Sequence, residues 1–187
     1  MKNILFIAGC LIFLTSCDEE LLIPKPPTYL RLELPEHIYT VSEDDCPYVL
    51  TTNEMFTVKK VDENSCHKDI DLGPLNGTIH LSFIDMEEPL SVYVNFVNDK
   101  VDEHKVKATG IIDSQYINPD KKVYCTFFEL QGDVASPFQF YLTDSTDRFV
   151  SGVVYFNSTP DYDSLRPSLD YLKVDLEHLI NEFEWKD

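Results

Sequence analysis

The stretch that decides the fold is SLRPSLDYLKVDLEHLINEF, residues 164–183, near the end of a chain of 187 residues. Its apolar residues recur at intervals of three and four, which is the period of one helix face. We expect Ser164 to cap this helix and Pro167 to lie in its first turn. Such a helix must cover an apolar surface elsewhere in the chain. The stripe consists of Leu165, Leu169, Leu172, Leu176, Leu179, Ile180 and Phe183.

Segments upstream have the alternation of half-buried β-strands and would supply that surface. In residues 78–83, Ile79, Leu81 and Phe83 fall on one face, and His80 falls on the polar face. The turn-forming cluster Asp144-Ser145-Thr146-Asp147 is expected to close an antiparallel hairpin between the last two strands. The other strand-like segments are residues 29–34, 107–113, 122–130, 138–142 and 148–156.

A second helix is predicted from about Glu88 to Lys105, because apolar residues there return to a spacing of four, three and four. Its β-branched residues leave a strand as the alternative. An antiparallel sheet covered by two helices satisfies all of these apolar faces, so we expect a single-domain α+β sandwich. The residues of this second stripe are Leu90, Val94, Val97 and Val101.

The N-terminus has the order of a secretory signal: Lys2, an apolar run over residues 4–14, and then small residues. The run ends in Leu-Thr-Ser-Cys, the pattern of a bacterial lipobox, so we expect lipidation of Cys17, with simple secretion as the alternative. Cys10 also fits the lipobox pattern, but the apolar run before it is too short. The predicted divisions are a lipoprotein signal peptide (1–16), a lipidated N-terminus with a proline-rich spacer (17–27) and an α+β globular domain (28–187).

The net charge of the chain argues against partners that are themselves strongly negative. With 15 Lys and Arg against 33 Asp and Glu, the formal net charge is -18. Such a surface repels nucleic acid phosphates and anionic lipid headgroups, so we expect no nucleic acid partner. Attachment to a membrane would then depend on acyl chains such as palmitate, each buried methylene of which contributes about 0.8 kcal/mol.

Three cysteines remain in the predicted domain once Cys17 is lipidated. Cys46 and Cys66 flank a segment typical of a strand and turn, and we predict a disulfide between them. A loop of this length would stabilise the fold by about 3 kcal/mol in the chain-entropy model. Cys125 lies in an apolar strand pattern and is expected to be a free, buried thiol. No CxxC or HxxxH spacing supports zinc, so no metal site is expected.

The sequence offers no recognisable catalytic motif. It has no GxSxG elbow, no phosphate-binding glycine loop and no HExxH. Ser136 follows Gly132 in a polar stretch between two strand patterns, where a hairpin turn is a better explanation than a nucleophile. The five histidines are dispersed, and we expect His178, which lies off the apolar stripe, to be solvated. No catalytic residue and no cofactor are therefore predicted.

Several long runs resemble the GldD family of gliding-motility lipoproteins. They are PKPPTYLRLELPEH (24–37), the CPY at Cys46, GDVASPFQFYLTDST (132–146) and VVYFNSTPDYDSLRPSLDYLKVDLEHLINEFEWK (153–186). The resemblance implies an envelope lipoprotein of the gliding and type IX secretion apparatus that acts beside other lipoproteins and membrane proteins. It brings neither an enzymatic activity nor a cofactor.

Two expectations accompany this resemblance. The acidic residues 18–20 beside the predicted anchor favour the outer membrane. A partner-binding role needs exposed aromatic side chains, for which Phe138, Tyr141 and Tyr155 are the candidates. The alternatives are an envelope lipoprotein that binds a small ligand or glycan in a concave pocket, and a hydrolase with an unfamiliar site.

Overall fold

Ten β-strands and two α-helices build residues 33–186, the part of the chain that the computed structural model describes. The helices are α1 (Leu90–Glu103) and α2 (Tyr162–Asn181). The strands are β1 (Tyr39–Ser42), β2 (Tyr48–Asn53), β3 (Thr57–Lys60), β4 (Lys68–Asp71), β5 (Gly77–Asp85), β6 (Ala108–Asn118), β7 (Val123–Gly132), β8 (Phe138–Thr143), β9 (Arg148–Phe156) and β10 (Glu184–Trp185).

Seven strands form one antiparallel sheet in the order β3-β4-β5-β9-β8-β7-β6. The strands predicted at residues 78–83, 107–113, 122–130, 138–142 and 148–156 all belong to it. The turn predicted at residues 144–147 is confirmed. There the Asp144 carboxylate accepts hydrogen bonds from the backbone N–H groups of Thr146, Asp147 and Arg148 at 2.9 to 3.0 Å.

The two helices lie on opposite faces of this sheet. Two adjacent residues of β9 show this arrangement. Phe149 packs in the apolar cluster that contains Val97 of α1. The next residue, Val150, packs in the cluster that contains Leu172 of α2. Successive side chains of a strand point to opposite faces. The predicted α+β architecture, an antiparallel sheet covered by two helices, is therefore confirmed.

Helix α1 begins and ends within two residues of its predicted bounds. Val97 and Val101 are buried against Phe128, Leu130 and Phe149 of the sheet. The helical interpretation is correct and the strand alternative is wrong. The apolar stripe has outweighed the lower helix propensity of its β-branched residues.

Helix α2 buries its predicted stripe but begins earlier than expected. Asp161 is the N-cap, and its carboxylate accepts a hydrogen bond from the Ser164 N–H at 3.1 Å. The prediction that Ser164 caps the helix is therefore wrong. The helix begins three residues earlier, at an aspartate whose carboxylate accepts from one of the free N–H groups of the first turn, so Ser164 lies inside the helix. Pro167 consequently lies in the second turn of α2 and not in its first.

A second sheet, ordered β1-β2-β10, packs on the α2 side of the molecule and was not predicted. The prediction of a strand at residues 29–34 is wrong for the two residues that the structure describes, because Glu33 and Leu34 form no strand. Pro35 follows them, and proline cannot donate to a strand ladder. Residues 29–32 lie outside the described part of the chain.

Candidate functional site

The end of the domain that leads toward the predicted anchor is attached to α2. Cys17, the signal peptide at 1–16 and the spacer at 17–27 lie outside the described residues. Close to the start of the described chain, Tyr171 OH donates to the carbonyl oxygen of Pro35 at 3.0 Å. His37 Nδ1 lies 2.7 Å from Asp175 Oδ1. The segment that follows residue 32 is thus held directly to the last helix.

Asp175 is the centre of this attachment. It is only 2% exposed, and a buried carboxylate is costly unless other groups hydrogen-bond to it. Asn53 Nδ2 lies 3.2 and 3.3 Å from its two oxygens, and the His37 ring stacks on Tyr171 with centroids 4.1 Å apart. Burial and the Asp175 carboxylate raise the pKa of Tyr39 to about 12. The whole network joins β1, β2 and α2, so its contacts are structural.

Two further histidines occupy separate places. His178 was expected to be solvated, but it is half-buried and its ring stacks on Tyr39 with centroids 3.5 Å apart. That expectation failed because β1, the strand that carries Tyr39, was not predicted. His80 lies on the exposed polar face of β5, as expected, and its Nδ1 is 2.6 Å from Asp69 Oδ1.

The candidate nucleophile and the free thiol are both buried. Ser136 lies in the loop from β7 to β8 with its Oγ donating to the Phe138 carbonyl oxygen at 3.3 Å. Burial raises the pKa of Cys125, which keeps it a thiol within the core. Across residues 33–186, no group of three or more His, Cys, Asp and Glu side chains is arranged to hold a metal ion.

Cys46 and Cys66 are joined by a disulfide, with their Cα atoms 5.5 Å apart. An ion pair between a buried lysine and a half-buried aspartate adjoins it. The Lys68 side chain is 0% exposed, and its Nζ lies 2.9 Å from Asp44 Oδ2, although not in the geometry of a hydrogen bond. Burial favours the protonated form of Asp44, but the adjacent Lys68 ammonium and the hydrogen bond from the Cys46 N–H outweigh burial and lower the pKa of Asp44. The ammonium also lies 4.6 Å above the Tyr48 ring. These contacts stabilise the region of the disulfide.

The three aromatic candidates for partner binding differ in exposure. Phe138 is 2% exposed and belongs to the core, so it is wrong as a surface residue. Tyr141 is half-buried, stacks on Phe149 and bonds through its OH to the Thr126 hydroxyl at 2.9 Å. Tyr155 is exposed. Alternation within β8 directs Phe138 toward α2 and Tyr141 toward α1, which the sequence alone did not show.

Strand β6 lies at one end of the seven-stranded sheet. It pairs with β7 along one side only, and no other described strand lies beside it. Two of its apolar side chains, Ile112 and Ile117, are 48% and 63% exposed. We call the free side of residues 108–118, with the two clefts that flank it, the β6 edge surface.

The two clefts lie on opposite faces of β6, near its C-terminal end. The cleft on the α1 side measures about 210 Å³ and the cleft on the α2 side about 310 Å³. Leu90, Gln115, Ile117, Tyr124, Thr126 and Tyr141 are among the residues that line the first. The second is lined by residues that include Tyr116, Asn118, Val123, Ile180 and Asn181. Both clefts lack charged side chains among these residues.

Sequence reasoning missed the β6 edge surface because strand order is not visible in the sequence. One signal was present. The stretch ATGIIDSQYIN, residues 108–118, carries isoleucines at the neighbouring positions 111 and 112, which point to opposite faces. A strand with an isoleucine on each face, and with no Lys, Arg or Pro anywhere along it, suggests that one of its apolar side chains contacts something outside the core.

Residues 19–185 match a family model described as gliding motility lipoprotein GldD. No curated protein matches the chain. Among the described helices, none is both long and apolar enough to cross a membrane.

Proposed function

Because this chain belongs to the family of gliding motility lipoproteins GldD, we propose that it is a non-catalytic component of the gliding motility and type IX secretion apparatus. In this role it supports the assembly or stability of partner lipoproteins and membrane proteins of the cell envelope. The family match over residues 19–185 is the observation that carries the proposal.

The anchor in this proposal is a lipid on Cys17, which holds the domain at the outer membrane. The lipobox pattern before Cys17 supports the anchor, and the acidic residues 18–20 support the choice of membrane. More than one acyl chain is needed for durable binding, since a single chain binds reversibly. Fractionation of cells, with protease treatment of intact cells, identifies the membrane and the leaflet.

The contacts of the polar residues support a non-catalytic role. Asp175, Lys68 and Ser136 are each buried and each engage neighbouring groups of the fold. The β6 edge surface, in contrast, presents apolar side chains and unpaired backbone to the surroundings. We assign partner binding to this surface because exposed strand edges are recurrent sites of protein association.

The test is deletion of the gene in its own host, followed by complementation with the full-length chain. We expect deletion to abolish colony spreading, to reduce export of type IX cargo and to lower the steady-state amount of at least one other motility lipoprotein. Complementation should restore all three. Unchanged spreading, export and lipoprotein amounts in the deletion strain would contradict the proposal.

A second candidate function, binding of a glycan, is favoured by one observation. The α1-side cleft combines the rings of Tyr124 and Tyr141 with the hydroxyl of Thr126 and the amide of Gln115. Aromatic faces and neutral polar groups are the side chains that a small polar ligand requires. Native mass spectrometry of protein purified from its own envelope would detect such a ligand. Tyr124→Ala should remove the ligand, whereas Tyr155→Ala, which is outside the cleft, should retain it.

A further inference from the structure

Strand β6 is long for an exposed edge and carries little of the protection that edges normally have: a bulge between Ala108 and Gly110 and the single charge of Asp113. It has eleven residues, and none is Lys, Arg or Pro. The opposite edge of the same sheet, β3, has four residues and ends in Lys59 and Lys60. Short edges and lysines are the usual defence against unwanted strand pairing. Among residues 33–186, the sheet is thus protected at one edge and largely open at the other.

We propose that β6 pairs with an extended segment of another envelope protein, which adds an eighth strand to the sheet. This inference rests on the proposed partner-binding function and specifies its geometry. Backbone hydrogen bonds along an added strand supply affinity, while pockets for alternate side chains supply specificity.

The two clefts are placed where alternate side chains of an added strand would enter. Ile111 packs in the cluster on the α1 side and Tyr116 in the cluster on the α2 side, so alternation places Gln115 and Ile117 on the α1 side and Asn118 on the α2 side. Gln115 and Ile117 also border the α2-side cleft. The side chains of an added strand alternate in the same way as those of β6. Apolar side chains of the partner would therefore enter the α1-side cleft and the α2-side cleft in turn.

Charge defines the chemistry of the partner segment further. Asp113 is the one charged residue among the eleven of β6 and is exposed near the middle of the strand. The whole chain carries a formal charge of -18. Opposite charges directly across a strand pair are stabilising, and like charges are destabilising. The partner segment should be apolar or aromatic at most positions and carry Lys or Arg opposite Asp113.

The same charges argue against a second copy of this chain as the occupant. Full-length antiparallel pairing of β6 with itself about a two-fold axis would place Asp113 opposite Asp113. Two copies that each carry a charge of -18 would also repel one another over a longer range. A different protein with a neutral or basic strand avoids both penalties.

Photo-crosslinking in the envelope tests the pairing. A benzophenone side chain replaces Ile112 or Ile117 of the full-length, lipidated chain in its own host, and mass spectrometry maps the adducts. Val61, in the turn between β3 and β4 at the other edge, is 61% exposed and is the matched control. We expect positions 112 and 117 to crosslink to one partner segment, at sites about five residues apart, because paired strands advance together. Position 61 should give no adduct with that segment.

Three results would overturn the strand pairing. The first is adducts with a second copy or with residues 17–32 of the same chain only. The second is crosslinks to a partner at sites scattered over separate segments. That result would exclude strand pairing but would still agree with the proposed partner-binding function. The third is an absence of adducts at 112 and 117 in cells that still spread. The proposed function fails by a different result, normal spreading and export after deletion of the gene.

Discussion

Gly152 lies opposite Phe140 in the pairing of β8 with β9. A Cβ atom built at Gly152 would lie 2.1 Å from Cζ of the Phe140 ring. The ring itself is fully buried in the core on the α2 side. At the scale of single residues, the seven-stranded sheet therefore depends on the absence of a side chain at position 152.

Substitution Gly152→Ala should lower the free energy of unfolding by about 1–3 kcal/mol, since Phe140 cannot move aside in a packed core. Urea denaturation measures it. Gly110→Ala is the control, because a Cβ there would meet only the flexible end of Gln131 at 3.1 Å. Equal losses in the two variants would contradict the packing account.

Asp144 predicts how stability depends on pH. Burial favours its protonated form, but hydrogen bonding with Arg148 and with three backbone N–H groups outweighs burial and lowers the pKa. Because the pKa is lower in the folded chain, this stabilisation is fully present above the unfolded value of about 4. It is lost as the pH falls through the folded value.

Asp144→Asn should therefore destabilise the protein at pH 7, by about 1–3 kcal/mol, since bonds to a charged group are replaced by neutral ones. The difference from the natural protein should narrow as the pH falls below about 4. Urea denaturation across this pH range measures it. The exposed Asp120→Asn serves as control. A difference that widened in acid would refute the assignment.

At the scale of elements, the helices and strands predicted correctly are those with a regular spacing of apolar residues. The stripe on α2 and the alternation in β5 follow from side chains that bury one face, whereas β7 and β9 were recognised as apolar strand patterns and have buried residues on both faces. The cap of α2 was misassigned because Asp161 and Ser164 both have suitable side chains, and only the backbone decides between them. The small sheet was missed because β1 and β10 are short and partly exposed.

The cap of α2 can be tested directly. Asp161→Ala should lower the unfolding temperature, because the Ser164 N–H loses its acceptor. Ser164→Ala keeps that N–H and its acceptor and loses only the hydroxyl's bond to Asp161, so its cost should be smaller. Thermal unfolding of both variants measures the order of the two effects. The reverse order would restore Ser164 as the cap.

Local sequence patterns also decide how much of the candidate site could be predicted. Cys46 and Cys66 could be paired from the segment between them, and the structure has that disulfide. The place of β6 at the end of the sheet could not be found, because it depends on long-range pairing of β5 with β9. Phe138 was wrongly predicted as a candidate surface residue for a related reason. Alternation shows which residues of a strand share a face, but it does not show which face the rest of the protein covers.

At the scale of the whole molecule, the predicted anchor and the proposed binding edge lie on different parts of the chain. Residues 35–39 are held to α2 through Asp175 and its neighbours. The seven-stranded sheet then carries β6 as a fixed, open edge. A domain attached in this way can present β6 to neighbouring envelope proteins while the lipid keeps it at the membrane.

The anchor gives a prediction of its own. Cys17→Ala should release the domain from the membrane fraction, because no acyl chain can then be attached. It should also abolish spreading while the domain remains folded. Membrane fractionation and mass spectrometry of the purified chain measure the outcome. An unmodified Cys17 in the natural protein would contradict the lipid anchor.

The most direct test of the account is complementation of the deletion strain with the full-length Ile112→Lys, Ile117→Lys double variant. Lysines on β6 should block strand pairing without unfolding the domain, since both side chains are exposed. Val61→Lys is the control. We predict that the double variant accumulates in the envelope at normal levels but fails to restore spreading and type IX export, whereas the control restores both. Full restoration by the double variant would contradict the claim that this protein works by binding partners through β6.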